Sequence, residues 1–155
     1  MRSSWSEPLS HYLEKRGLRL TKQRQIIAEV FFEASGHPSV EDIHQRVRSR
    51  NPKIGQATVY RTLKLLQESG LANASRFGGE TRRFESTLEQ EHHDHLICTR
   101  CATIIEFLDP IIEERQEKVA EDLGFKLESH KQELYGVCAA CLKDPKQSPR
   151  SVMHT

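Results

Sequence analysis

Residues 91–101 read Glu91-His92-His93-Asp94-His95-Leu96-Ile97-Cys98-Thr99-Arg100-Cys101, an acid and histidine cluster that runs directly into a Cys-x-x-Cys pair. A second pair, Cys138 and Cys141, accounts for the other two of the four cysteines. Two thiolates separated by two residues can turn back on one ion, and two such pairs complete the four-sulfur shell that structural zinc favours. A redox dithiol would normally be a single pair at a helix start. Cys98, Cys101, Cys138 and Cys141 are therefore expected to hold a structural Zn(2+) brought together by sheet topology.

The residues before the first pair point to harder donors. Along an extended chain side chains alternate, so His93 and His95 face one way and His92 and Asp94 the other. Each face carries two ligands of the imidazole and carboxylate type, which suits Fe, Mn, Zn, Co or Ni without separating them. Glu85 and Glu106 are candidates to complete the first pair, and Glu113 with His130 the second.

Working outward, the N-terminal half reads as short helices. Residues 6–16 place Leu9 and Leu13 on one face, with Gly17 as a stop. Thr21 caps a helix in which Ile26, Ile27, Val30 and Phe31 recur at helical spacing. Ser39-Val40-Glu41-Asp42 is a capping signal for a third helix carrying Ile43 and Val47. Residues 57–69 put Val59, Leu63 and Leu66 on a buried stripe closed by Gly70. Residues 71–77 and 81–85 then read as strands joined through Gly78-Gly79. Helices followed by a basic hairpin make a winged helix-turn-helix. Beyond residue 91, residues 95–98 and 103–107 read as a strand pair around the first cysteine turn. Asp109-Pro110 starts a helix with Ile112, Val119 and Leu123 as its inner face. Residues 125–137 read as a returning strand.

The expected fold class is α+β, a winged-helix domain over residues 1–84 followed by a small α/β domain. A hinge is placed at 85–91, the second domain at 92–144 and a loose tail at 145–155. Charge divides at the same place. Residues 1–83 carry fifteen Lys/Arg against eight Asp/Glu, whereas residues 84–155 carry eight against fourteen. The first half suits a polyanion and the second suits cations. No export signal or membrane span is expected, which with paired cysteines fits a reducing, cytoplasmic setting.

In a winged helix the last helix before the wing enters the major groove. Here its first turns carry Thr58, Tyr60, Arg61 and Thr62. Tyr60 can meet a thymine methyl, Arg61 can fork onto guanine or clamp a phosphate, and the threonines can bond phosphates. The wing adds Arg76, Arg82 and Arg83.

At these residues the chain resembles the ferric uptake regulators, metal-responsive bacterial repressors. The resemblance rests on Gly17-Leu18-Arg19-Leu20-Thr21, on His37 with Glu41-Asp42, and on Ala57-Thr58-Val59-Tyr60-Arg61-Thr62-Leu63. It continues through His92 to Cys98, Ile104-Ile105-Glu106-Phe107 and Leu134-Tyr135-Gly136-Val137-Cys138. It implies a homodimer formed by the C-terminal α/β domains, with a tetramer as a further possibility, bound to double-stranded operator DNA. It also implies a structural zinc on the four cysteines. A regulatory Fe(2+), or alternatively Mn(2+) or Zn(2+), would sit on His37, Glu85, His93, His95 and Glu106. A further site would use His92, Asp94, Glu113 and His130. Arg19 would enter the minor groove. Peroxide sensing and zinc or manganese sensing are the alternatives within the family, where peroxide sensors carry aspartate in place of Glu85. A zinc hydrolase is the alternative outside it, disfavoured because no helix carries a His-Glu-x-x-His pattern.

Overall fold

The computed structural model describes residues 4–88 and 93–144, which form two compact units. His92, residues 89–91 of the expected hinge and the expected tail at 145–155 lie outside the described residues.

The first unit begins with four helices: α1 (Ser6–Lys15), α2 (Lys22–Glu33), α3 (Val40–Arg50) and α4 (Gln56–Glu68). Two starts are fixed by side chains. The Thr21 hydroxyl accepts the Arg24 N–H at the head of α2. At α3, Ser39 and Asp42 form a reciprocal capping box, each side chain accepting the other's backbone N–H, which satisfies two donors that have no partner inside the helix. The apolar repeats then converge. Leu9, Leu13, Ile27, Phe31, Ile43, Val47, Val59, Leu63 and Leu66 belong to one buried cluster, each side chain contributing about 1.5–3 kcal/mol by leaving water.

The wing is the antiparallel pair β1 (Ala72–Ser75) and β2 (Arg83–Ser86), with Ala72 opposite Ser86 and Ser75 opposite Arg83. Phe84 of β2 closes the helical core. On the other edge of β2, Ser39 bridges Arg83 and the Phe84 N–H donates to the Pro38 carbonyl at 2.9 Å. The segment around His37 thus lies along the wing as a third ribbon.

The hairpin differs from its sequence reading. Both strands are shorter than expected, and the tight turn is centred one residue earlier than Gly78-Gly79. The Gly79 N–H donates to the Arg76 carbonyl at 2.8 Å, enclosing Phe77 at φ 42° and Gly78 at φ 73°. Positive φ at both central positions is the geometry that ordinarily selects Asn or Gly. A phenylalanine there costs about 1–2 kcal/mol in backbone energy.

The second unit comprises β3 (Asp94–Cys98), β4 (Ile104–Phe107), α5 (Pro110–Asp122), β5 (Glu133–Gly136) and α6 (Ala139–Lys143). Its sheet order is β4-β3-β5, antiparallel on one side of β3 and parallel on the other. Asp109 caps α5 by accepting the Ile111 and Ile112 N–H groups, with Pro110 opening the helix. Two expectations fail here. Of residues 125–137, only Glu133–Gly136 is strand: the parallel register begins with Glu133 against His95, and the Gln132 carbonyl accepts the His95 N–H just before it. The expected inner face of α5 is not buried: no residue of that helix is, and Val119 and Leu123 are exposed, since no second layer among the described residues covers them. Among the described residues, no helix is long and apolar enough to cross a membrane.

Candidate metal centres

The four cysteines converge as their spacing requires. Cys98 ends β3, and a turn through Ala102 at φ 58° brings Cys101 back beside it. The parallel pairing of β3 with β5 sets Cys98 opposite Gly136, which delivers Cys138 to the head of α6 and Cys141 into its body. None of the four is in a disulfide. One sulfur from each lies within 4.8 Å of the others, and Cys101 Sγ is 3.7 Å from Cys138 Sγ. A tetrahedron of sulfurs about 2.3 Å from a central zinc has edges of about 3.8 Å, so the donor set fits that ion.

The local field favours thiolates on the first pair. Burial pushes the Cys98 thiol up, but N–H groups of Cys138, Cys101 and Arg100 aimed at its sulfur outweigh this and bring it down to about 6. Hydrogen bonds from Thr103 hold Cys101 below its ordinary value. Burial, reinforced by the neighbouring sulfurs, pushes Cys141 up to about 12. Four sulfurs this close cannot all ionise without a cation among them, and a coordinating metal deprotonates such thiols outright. Thr103 is a contributor that the sequence reading did not single out; nothing in the spacing distinguishes it from any other threonine.

The expected regulatory ligands divide between the two units. In the first, His37 and Glu85 meet directly, His37 Nε2 lying 2.8 Å from Glu85 Oε2 with both side chains largely buried. In the second, His93 and His95 pack edge to face with ring centroids 4.9 Å apart, and His93 Nε2 is 3.5 Å from Glu106 Oε1. Strand register explains the grouping, since His95 sits opposite Glu106. Both groups offer nitrogen and oxygen alone.

Asp94 faces away from these histidines, as alternation requires, and is fully buried. His130 Nε2 lies 3.9 Å from its Oδ1 and 3.3 Å from Glu113 Oε2. Glu113 comes from the first turn of α5. Three donors from β3, α5 and the segment before β5 therefore converge in the second unit. His92, the fourth expected member, lies outside the described residues.

The residues expected to contact DNA differ in exposure. Tyr60 and Arg61 are exposed on α4, as are Arg19 and Arg76, while Thr58 is half-buried. The Arg19 carbonyl is held by the Arg24 guanidinium at 2.5 Å. Thr62 is a correction: it is buried and its hydroxyl donates to the Thr58 carbonyl at 2.8 Å, so it has no hydrogen left for a phosphate. Arg83 is a second. Its guanidinium donates to the His37 carbonyl at 3.1 Å and lies 3.9 Å from Asp42, bracing the wing against the head of α3.

The sequence model of the ferric uptake regulator family matches residues 15–135. The ferric uptake regulation protein of Bordetella parapertussis is 45% identical over 132 residues, covering 84% of this chain and 94% of that protein. The structure of the Helicobacter pylori ferric uptake regulator, described as revealing three functional metal binding sites, is 34% identical with a TM-score of 0.80, covering 88% of this chain and 90% of that one. A zinc-bound manganese uptake regulator is 41% identical with a TM-score of 0.63, covering 84% and 98%. A family match spanning both units, joined to a relative that shares nearly half its residues along most of its length, establishes that this chain belongs to the ferric uptake regulator family.

Proposed function

We propose that this metal-responsive regulator is an Fe(II)-dependent repressor of iron-uptake genes, acting as a cytoplasmic homodimer on double-stranded operator DNA. The observation that carries the reading is the donor chemistry of His37 with Glu85 in one unit and of His93, His95 and Glu106 in the other. Both sets lack sulfur, which suits Fe(II) or Mn(II) better than a thiolate-rich zinc sensor would. The proposal is that the five residues share one ion. Such an ion is satisfied only in one relative orientation of the two units, so binding selects that orientation. If it sets two recognition helices one DNA turn apart, metal and operator raise each other's affinity by the same factor. A hundredfold effect corresponds to about 2.7 kcal/mol of coupling.

In this proposal Zn(2+) on the four cysteines is structural, and Asp94, Glu113 and His130, with His92, hold a further ion. The three metal sites ascribed to the Helicobacter pylori protein agree in number with these three clusters. Dimer formation is supported by the sheet, where Leu96 stands opposite Ile105 and Leu134 and all three remain exposed. Arg19, Tyr60, Arg61, Thr58 and Arg76 are the proposed DNA contacts.

The test is an anaerobic mobility-shift titration with Fe(II), Mn(II) and Zn(II), with metal content measured in parallel. The double variant His93→Ala, His95→Ala is expected to keep its zinc and lose metal-dependent operator binding. Unchanged metal dependence would falsify the shared site. A manganese-responsive regulator is the second reading, favoured by the 41% identity to a manganese uptake regulator; activation by Mn(II) but not Fe(II) at cellular concentrations selects it. Peroxide sensing would be revealed by 2-oxo-histidine at His37 or His93 after mild peroxide treatment. Operator complexes carrying twice the mass of a dimer would establish the tetramer.

A further inference from the structure

Phe77 occupies a position its backbone does not favour. It is the first central residue of a turn closed by the Gly79 N–H on the Arg76 carbonyl at 2.8 Å. There it takes φ 42°, followed by Gly78 at 73°. Asn or Gly would adopt this geometry without strain, so the turn alone gives no reason for an aromatic residue. The side chain supplies one. Unlike the exposed residues on either side of it, Phe77 is buried, and its ring stands edge to face against the His37 imidazole, centroids 5.0 Å apart at 80°.

Three contacts tie His37 to the wing. Glu85 of β2 meets its Nε2 at 2.8 Å. Arg83 of β2 takes its carbonyl at 3.1 Å. Phe77, from the turn that leads into β2, covers the ring. A metal ligand must present one nitrogen lone pair along one direction, and packing that locks the imidazole rotamer reduces the freedom lost on binding.

We propose that Phe77 is a positioning residue for His37, making the wing turn and the regulatory ligand one mechanical unit. The inference rests on the reading of His37 as a ligand. Because Phe77 is flanked by exposed Arg76, a shift of His37 on metal binding is transmitted to the turn that presents this arginine to DNA. Reciprocally, phosphate contact at Arg76 steadies the ligand.

The experiment uses the full chain with zinc in its cysteine site. Phe77→Asn suits the turn but removes the ring; Phe77→Leu keeps apolar bulk without an aromatic edge; Phe77→Tyr keeps the ring. Regulatory metal is read as Mn(II) affinity by competition with a fluorescent chelator, at a temperature well below each unfolding midpoint. Phe77→Asn and Phe77→Leu are expected to weaken Mn(II) binding about tenfold, while Phe77→Tyr stays within twofold of the parent. Without Mn(II), the His37 ring proton resonances are expected to move in the first two variants and not in the third. A residue that merely packs would lower the unfolding midpoint and leave both readouts in place, and that result overturns the proposal. Equal losses in Phe77→Tyr and Phe77→Asn overturn it as well. The parent reading is separated by His37→Ala. If that variant keeps full Mn(II) affinity, His37 is not a ligand and both ideas fall; if it loses affinity while Phe77→Asn does not, only this inference falls.

Discussion

The first unit buries Leu9, Leu13, Ile27, Phe31, Ile43, Val47, Val59, Leu63, Leu66 and Phe84, whereas the second buries only Ile97, Cys98 and Cys141 among its described apolar and sulfur side chains. Eleven of the twelve large apolar residues described as exposed belong to the second unit; Tyr60 is the exception. Both units are small, and small chains struggle to offset the entropy of ordering. The first solves this with an apolar core built from four helices and a wing. The second has a three-stranded sheet, a helix with no buried residue and a cluster of ligands where a core would be. Such sparse burial is expected to make it depend on bound metal and on a partner surface. If so, metal loss should loosen the second unit while the first keeps its shape.

The sharpest way to break the comparison is to remove the staple. Cys98→Ser with Cys141→Ser, or exhaustive chelation, takes away an interaction worth on the order of 10 kcal/mol in small zinc modules. Hydrogen exchange read by mass spectrometry is expected to show fast exchange throughout β3, β4 and β5 with protection in α2, α3 and α4 retained. Survival of the β3–β5 amides after metal loss would show that the second unit has a core of its own. Loss of protection in both units together would show that the division is not energetic.

Truncating apolar side chains tests the same contrast more gently. Phe31 is buried in the helical cluster, so Phe31→Ala is expected to cost the first unit about 3–5 kcal/mol. Leu134 is 41% exposed in the single chain, and Leu134→Ala is expected to cost the isolated fold under about 1 kcal/mol. Its effect should appear in assembly instead, as a rise of about tenfold in the dimer dissociation constant measured by sedimentation velocity. A large fall in monomer stability with unchanged self-association would place Leu134 in an internal core.

What the sequence made legible follows the same line. Elements set by local signals came through: Thr21, the Ser39 and Asp42 box, Asp109-Pro110 and the 3.6-residue repeats of the first unit all act within a few residues. The cysteine pairs were legible because spacing and sulfur chemistry leave few alternatives. The role of Thr62 was not, because an exposed and a buried threonine look alike until the helix is rotated against its core. Arg83 read as a wing charge, yet its partners, His37 and Asp42, lie more than forty residues away. Residues 125–132 are not strand: their composition allows extension, but the described ladder with β3 begins only at Glu133. Phe77 is the most instructive miss. Gly78-Gly79 marks the turn to within one residue, but sequence pattern places Phe77 in the preceding strand, because its reason for being there, the His37 imidazole, is distant in sequence.

The smallest effect concerns the cap that sets the head of α3 beside the wing. Burial alone would push the Asp42 carboxyl up, but the Ser39 backbone and hydroxyl bonds, with Arg83 nearby, outweigh it and leave the group below its ordinary 3.8. A carboxyl depressed in the folded state binds fewer protons there than in the unfolded chain. Its contribution is therefore complete above the unfolded value near 3.8 and is lost as pH falls through the lower folded one. The side chain is 48% exposed, so solvent screening keeps the contribution to about 0.5 kcal/mol. Ser39→Ala removes the other half of the box and is expected to cost about 1 kcal/mol at neutral pH. Exchange of the Asp42 and Ile43 amides reports this locally and does not depend on the metal sites, which lose their ions to protons first. Between pH 6 and 5 these amides are expected to be less protected in Asp42→Asn than in the parent, and the gap should close below the folded value. A gap that widens on acidification would mean that the carboxyl is stabilised in its protonated form, and the charged cap would then not be what holds the head of α3 against the wing.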